Sequence, residues 1–128
     1  NLINCRSETI AEKPSFKGAE RCIIPFSGWY EWQKQENAKV PYYHYANAKY
    51  FAGIFNDSGC CILTREASDT VSHIHHRQPV LLFEDEIGEY FMGQNIYDSS
   101  ANYNVNFYQV SKDVNNPKNN YSSLIKEV

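Results

Sequence analysis

The sequence predicts an α+β domain built mostly from antiparallel strands, in a sheet that curls towards a barrel and carries a few short helices. Two observations lead to this prediction. Short runs rich in β-branched and aromatic residues recur along the 128 residues, separated by turn-forming Asn, Asp, Gly and Pro. Helix start and stop signals flank only short stretches. Because there is no repeat and no shift in composition, residues 1–128 are expected to form a single domain.

Five stretches of the first half have the alternation or the apolar character of strands. They are residues 2–8 (an edge strand or an extended loop), 21–25, 28–33, 41–45 and 50–55. A capping box at Thr9–Glu12 predicts a short helix that Pro14 interrupts, and Ser15-Phe16 would begin a second turn. The charged residues 34–40 are predicted to form a loop. A turn at 46–49 would join the last two strands into a β-hairpin.

The second half alternates apolar runs with polar loops. A turn at 56–59 precedes a predicted strand at 60–64, and residues 66–71 could form a helical turn. Further strands are predicted at 80–83 and 107–110. Residues 84–92 have acidic residues in the first turn and Gly93 just after the end, which predicts a helix. The Asn-, Ser- and Tyr-rich residues 94–106 are predicted to form a surface loop.

Composition narrows the class of protein. The formal net charge is −3 and the pI about 5.8, which argues against a broad basic surface for nucleic acid but leaves room for a narrow basic cleft. No stretch has the length and apolar character of a bilayer span, and no signal-peptide pattern is present. The four cysteines form no C-x-x-C pair, so they are predicted to be reduced, mostly buried thiols of a cytosolic protein.

The stretch Gly28–Trp32 places one carboxylate among three aromatic side chains. In a strand, Trp29 and Glu31 would share one face, and Tyr30 and Trp32 the other. A carboxylate against an aromatic wall loses hydration, and its pKa rises towards the range useful for proton transfer. The same pattern also fits an exposed glutamate on an ordinary core strand, so both interpretations stay open at this point.

A second unusual cluster is His73, His75 and His76, followed by Arg77. Zinc ligation by His73 and His75 with a distant carboxylate is one interpretation, although no H-E-x-x-H spacing supports it. A second is that His75 transfers protons while Arg77, on the same face of an extended segment, clamps an anion. Exposed histidines before a strand are a third interpretation that fits equally well.

Taken in order, these pieces resemble the SRAP domain, the SOS response-associated peptidase family. No single piece is specific, but the ordered series covers almost the whole chain. The segments that carry the resemblance are Asn4–Thr9, Glu12–Phe16, Arg21–Pro25, Gly28–Trp32, Ala52-Gly53, Ile62–Ala67, Ile74–Pro79 and Val110-Ser111.

The resemblance implies a compact, mostly β fold whose groove binds single-stranded DNA and crosslinks covalently to abasic sites. The family's nucleophile is a cysteine directly after the initiator Met, and its amine and thiol close on the open-chain sugar aldehyde to give a thiazolidine. By motif, Asn4 would position the reacting groups, Glu31 would act in acid–base steps that include release of the leading residue, and His75 would assist proton transfer. Arg6 and Arg77 would hold the flanking phosphates.

The resemblance implies no cofactor, no metal and no membrane partner, and we expect a monomer acting in the cytoplasm on nucleoid DNA. We expect the nucleophilic cysteine to lie in an N-terminal segment missing from this sequence, and Cys5 is not its equivalent. The chain is shorter than usual between Phe16 and Cys22 and after Phe55. His76 replaces a residue that is often acidic. A cysteine-type peptidase acting on other proteins and a histidine-metal hydrolase remain alternative functions.

Overall fold

A computed structural model describes residues 2–12 and 16–128. This part of the chain contains nine strands and one short α-helix, together with several 3-10 turns. The strands are β1 (Leu2–Arg6), β2 (Glu20–Pro25), β3 (Trp29–Gln35), β4 (Ala38–Tyr45), β5 (Tyr50–Asn56), β6 (Gly59–Glu66), β7 (Arg77–Pro79), β8 (Leu81–Leu82) and β9 (Asn106–Gln109), and the helix is α1 (Ile87–Phe91).

Six strands form the larger sheet, in the order β1-β6-β5-β2, with β7 paired to β6 and β8 paired to β5. The edge strand predicted at residues 2–8 is β1, which pairs parallel to β6 while the other pairs are antiparallel. Val80, between β7 and β8, donates to Leu63 O, and its carbonyl accepts from Ala52 N. The segment 77–82 therefore lies between β5 and β6 where these two strands separate.

The smaller sheet has the order β3-β4-β9 and is antiparallel throughout. The predicted loop over residues 34–40 is wrong, because β3 extends to Gln35 and β4 begins at Ala38. Only residues 36–37 form the turn, and Gln35 pairs with Ala38. Polar side chains at the solvent-exposed end of a hairpin look like a loop in sequence, since neither strand face is buried there.

The predicted hairpin between residues 41–45 and 50–55 is also wrong. Both strands exist, but β4 pairs with β3 and β9, whereas β5 pairs with β2, β6 and β8. The connection at 46–49 crosses from one sheet to the other. Its Ala46 and Ala48 side chains are buried in the core between the sheets, which a tight exposed turn would not allow.

The helix predicted at residues 84–92 is confirmed. It begins as a 3-10 turn at Glu84–Glu86 and continues into α1. Gly93 follows in a left-handed conformation (φ 95°). At the N terminus, the predicted short helix is the 3-10 turn Ile10–Glu12, while Pro14 and Ser15 lie outside the described residues. The helical turn predicted at residues 66–71 is shifted along the chain, because β6 extends to Glu66 and hydrogen-bonded turns occupy residues 69–74. None of the described helices has the length and apolar character needed to cross a membrane.

The two faces of the larger sheet bury two apolar cores. One face packs on the smaller sheet, where Phe51 meets Trp29. The opposite face carries Leu63 and is covered by α1, whose buried Tyr90 donates to Gly53 O at 2.6 Å. This mostly β architecture with one short helix confirms the predicted fold class, and the sheets curl around a shared core without closing into a barrel.

The prediction that all four cysteines are free thiols is wrong. Cys5 and Cys61 form a disulfide, with their Cα atoms 6.0 Å apart. Parallel pairing sets Cys5 beside Leu63, so Cys61 is its diagonal neighbour on the same buried face. Cys22 and Cys60 are free, with sulfurs 3.8 Å apart. The inference of a reducing compartment rested on four reduced thiols and loses that support.

The disulfide closes a separation of 56 residues, for which chain entropy predicts a stabilisation of about 4 kcal/mol. We expect the double variant Cys5→Ala/Cys61→Ala to lose about 2–5 kcal/mol of unfolding free energy in urea without reductant. The matched control Cys22→Ala/Cys60→Ala should keep its sensitivity to reductant, because it retains the disulfide. Titration of four thiols in the denatured, unreduced protein would contradict this assignment.

Candidate functional site

Strand β3 supplies the central carboxylate of the site. At its start, Trp29 is anchored in the core between the sheets, edge-on to Phe26 (5.5 Å between ring centroids) and to Phe51 (5.6 Å). Glu31 follows two residues later on the same face, as the strand alternation predicts, and keeps only 20% of its side chain exposed. On the other face, Tyr30 and Trp32 lie side by side, with 6.2 Å between their ring centroids.

The surroundings of Glu31 favour its protonated form. Burial raises the pKa of the Glu31 carboxyl above its ordinary value, and the opposing positive charge of His75 and the indole N–H of Trp29 do not cancel that effect. The Trp29 N–H approaches the carboxylate but is buried without a hydrogen bond of regular geometry to any described group. A carboxyl of raised pKa beside a proton carrier is suited to acid–base chemistry.

The imidazole next to Glu31 belongs to His75. Its Nδ1 lies 4.0 Å from Glu31 Oε1, and 39% of its side chain is exposed. The same Nδ1 lies 3.2 Å from both the backbone N and the backbone O of Arg77, so either tautomer finds a partner. The ring of His76 stacks on the ring of His75, with 4.7 Å between the ring centroids. The orientation of the imidazole is therefore set by its own chain segment.

Arg77 begins β7 and is held by two side chains. Its Nη1 and Nη2 donate to Glu8 Oε2 at 2.8 Å and Oε1 at 2.7 Å, a two-pronged ion pair, and Nη2 also donates to Thr64 Oγ1 at 3.1 Å. This pairing lowers the pKa of Glu8 to about 2. The charge of Arg6 contributes to the same effect, so Arg6, Glu8 and Arg77 form one charged cluster.

Asn4 and Arg6 are exposed on β1, where they lie opposite Ile62 and Thr64 of β6. Partners in a parallel pair point to the same face, so both side chains share the face on which Arg77 contacts Thr64. Arg6 thereby joins the charged cluster. Asn4 makes no side-chain hydrogen bond to Glu31 or His75 within the described residues.

Glu31 and His75 open onto a cleft with a volume of about 800 Å³ between the hairpin of β3 and β4 and the turns before β7. Trp32 lines it, with its indole N–H donating to Asn115 Oδ1 at 2.5 Å. Two lysines add positive charge. The lining residues are Glu31, Trp32, Gln33, Lys34, Lys39, Ser72, His73, Ile74, His75, His76 and Asn115.

Three contributors were not predicted from the sequence. Glu8 and Thr64 hold Arg77, and local spacing gives no signal for either contact, because Arg77 lies 69 residues from Glu8 and 13 from Thr64. The third is His44, which is buried against Trp29. Burial lowers the pKa of His44 to about 4, so the imidazole is neutral at physiological pH.

The histidine cluster does not come together as a metal site. Among the described residues, no group of three or more His, Cys, Asp or Glu is close enough to hold a metal ion. His73 contacts Phe107 edge-on instead, at 5.3 Å between ring centroids. The described residues therefore provide no set of metal ligands that would support a histidine-metal hydrolase.

Comparison with known proteins gives a consistent result. Residues 1–117 match the model of a family described as SOS response associated peptidase (SRAP). The abasic site processing protein YoqW of Bacillus subtilis is 32% identical over 152 aligned positions, which cover 98% of this chain and 66% of that protein. HMCES of Gallus gallus, also named an abasic site processing protein, is 34% identical over 121 positions, covering 65% of this chain and 35% of that protein.

The fold is also found among solved structures. A protein from Bacteroides thetaiotaomicron superposes with a TM-score of 0.79 at 26% identity, covering 98% of this chain and 65% of that one. The chain spans about two thirds of the length of YoqW and of this structural neighbour. The YoqW alignment is longer than the 128 residues of the chain, so YoqW carries inserted residues that this chain lacks.

The raised pKa of Glu31 predicts how stability depends on pH. Because the folded state binds this proton more tightly than the unfolded state, Glu31 destabilises the fold as the pH rises above the ordinary carboxyl range. We expect Glu31→Gln to be more stable than the unsubstituted protein at pH 7, by up to about 1 kcal/mol, and the difference to vanish in acid.

Urea unfolding at a series of pH values measures this difference. The control is Glu36→Gln, which removes the same charge at the exposed tip of the hairpin of β3 and β4 and should change stability little. A Glu31→Gln variant that is clearly less stable at pH 7 would show that the pairing with His75 outweighs the burial of the carboxylate.

Proposed function

The chain belongs to the SRAP family, and from that membership and the geometry of the cleft we propose that it processes abasic sites in single-stranded DNA by covalent crosslinking. The observation that carries the proposal is the approach of Glu31 to His75 at the mouth of the cleft. Two relatives that match this chain are named abasic site processing proteins. The activity is one of DNA repair, and its substrate is the ring-opened deoxyribose aldehyde.

The reaction has two bond-forming steps. An N-terminal α-amine, from a cysteine ahead of Asn1, adds to the C1′ aldehyde, and loss of one water gives an imine. The thiol of the same cysteine then adds to the imine carbon, its proton passes to the nitrogen, and a thiazolidine closes. No oxidant or reductant is consumed, and each step requires proton transfers that side chains can provide.

Glu31 and His75 divide these proton transfers between them. The imidazole can take a proton from the α-ammonium, which frees the amine that attacks the aldehyde, and the carboxyl of raised pKa can give a proton to the departing hydroxyl. The same pair would release the leading Met that precedes the cysteine, which is the peptidase activity of the proposal. Asn4, exposed on β1, would orient the reacting groups by hydrogen bonds.

Binding would rest on the backbone of the DNA. Arg6 belongs to the charged cluster around Arg77, and Lys34 and Lys39 line the cleft. Contacts of this kind read phosphates and not base edges, so binding should tolerate any sequence and weaken as salt rises. Because only these few cations would contact the DNA, a net charge of −3 for the whole chain is compatible with DNA binding.

The proposal is tested on a protein in which this chain follows a segment whose mature first residue is a cysteine, verified by mass spectrometry. We expect a heat-stable adduct with single-stranded DNA that contains one abasic site. Glu31→Gln should slow adduct formation by about 100-fold or more, the usual size of an acid–base contribution. Its affinity for undamaged single-stranded DNA should stay within about 2-fold, since the carboxylate does not bind phosphate.

Glu36→Gln is the matched control, and it should crosslink at the rate of the unsubstituted protein. Denaturing gels measure the adduct, and fluorescence anisotropy measures the affinity. Absence of any adduct with the N-terminal cysteine in place would refute the crosslinking proposal. An unchanged rate in Glu31→Gln would refute the role of the carboxyl while leaving crosslinking itself intact.

A further inference from the structure

The guanidinium of Arg77 has few donors left for a ligand. Both terminal nitrogens donate to the two oxygens of Glu8, and Nη2 also donates to Thr64. The remaining nitrogen, Nε, is buried and has no partner among the described residues. A ligand from solvent cannot reach Nε without a change in structure. The end of the guanidinium that faces solvent is therefore the end that Glu8 already occupies.

The exposure of the two partners supports this view. Only 15% of the Arg77 side chain is exposed, compared with 50% of Glu8. The guanidinium is thus fixed in the protein, while the carboxylate covers it from the solvent side. A carboxylate and a phosphate present the same pair of anionic oxygens to an arginine fork, so one can take the place of the other.

The charge of Glu8 is permanent in the physiological range. Arg77 and Arg6 together hold its pKa at about 2, so neutral pH does not weaken the pair. The carboxylate offsets one of the two positive charges that a phosphate would meet here. Only a competing anion, and not a modest change in pH, can free Arg77.

We propose that the Glu8 carboxylate is an internal competitor at the anion site of Arg77, so that a phosphate binds there only by displacing it. For DNA as the ligand, this inference rests on the proposed function. A single phosphate gains little, since it exchanges one ion pair for another. A longer strand that also fills the cleft gains enough from its other contacts to make the exchange.

The test compares Glu8→Gln with the unsubstituted protein on two probes. The first is inorganic tripolyphosphate, followed by the shift in melting temperature, and the second is a ten-nucleotide oligothymidylate, followed by anisotropy. We expect about 5-fold tighter binding of each probe by Glu8→Gln at low salt, because neither probe then has to displace a carboxylate from Arg77.

Two controls isolate the mechanism. Glu89→Gln removes the same charge from α1, on the opposite face of the larger sheet, and should change binding by less than about 2-fold. In an Arg77→Gln background, Glu8→Gln should no longer tighten binding, because the site that it uncovers is gone. The melting curve without ligand shows that each variant is folded.

Weaker binding of both probes by Glu8→Gln would overturn the inference, since Glu8 would then position Arg77 instead of competing for it. A gain in affinity equal to that of Glu89→Gln would also overturn the inference, because the gain would then come from the change in net charge and not from an uncovered site. The tripolyphosphate arm needs neither DNA binding nor crosslinking. If the proposed function fails, that arm still decides the role of Glu8.

Discussion

The insertion of Trp29 between the two sheets is the contact on which the site depends. The indole is wedged against Phe26 and Phe51, and this fixes the start of β3 relative to the larger sheet. Glu31 is two residues further along the same strand face, whereas His75 belongs to a segment that continues into β7 of the larger sheet. The distance between the Glu31 carboxylate and the His75 imidazole therefore depends on how the two sheets pack. The aromatic contacts of Trp29 fix that packing, in addition to the conformation of the segment that carries His75.

The parallel pairing of β1 with β6 has a comparable effect on the charged side of the site. It places Arg6 beside Thr64 and brings the chain after β1 to the point where Glu8 meets Arg77. The disulfide between Cys5 and Cys61 ties the same two strands on their other face. One pairing therefore carries a covalent link on one face and a charge cluster on the other, so the position of the arginine depends on the strand register.

Local pattern predicted the existence of most elements, since β2, β3, β5, β6, β9 and the helix after Phe83 follow from apolar runs and end signals. Strand partners were harder to predict. The wrong hairpin of β4 and β5 had a plausible turn, but burial of Ala46 and Ala48 between the sheets decided the path, and that is a tertiary effect. Glu31 and His75 were predicted as site residues from ordered motifs, and the structure brings the two side chains together. Glu8 was missed because its partner Arg77 lies 69 residues away and nothing in local spacing indicates the pair.

The two carboxyls near the site show how one side-chain type serves two purposes. Glu8 faces two guanidinium groups and is half exposed, so its pKa falls to about 2 and it remains a charge under all physiological conditions. Glu31 is mostly buried beside an aromatic wall, and neither His75 at 4.0 Å nor the indole N–H of Trp29 offsets the lost hydration, so its pKa rises. A group that never gives up its charge can act only as a counter-ion, whereas one that is easily protonated can exchange a proton with a substrate. Under the proposed function, environment alone thus suits Glu31 to proton transfer and Glu8 to pairing with arginine.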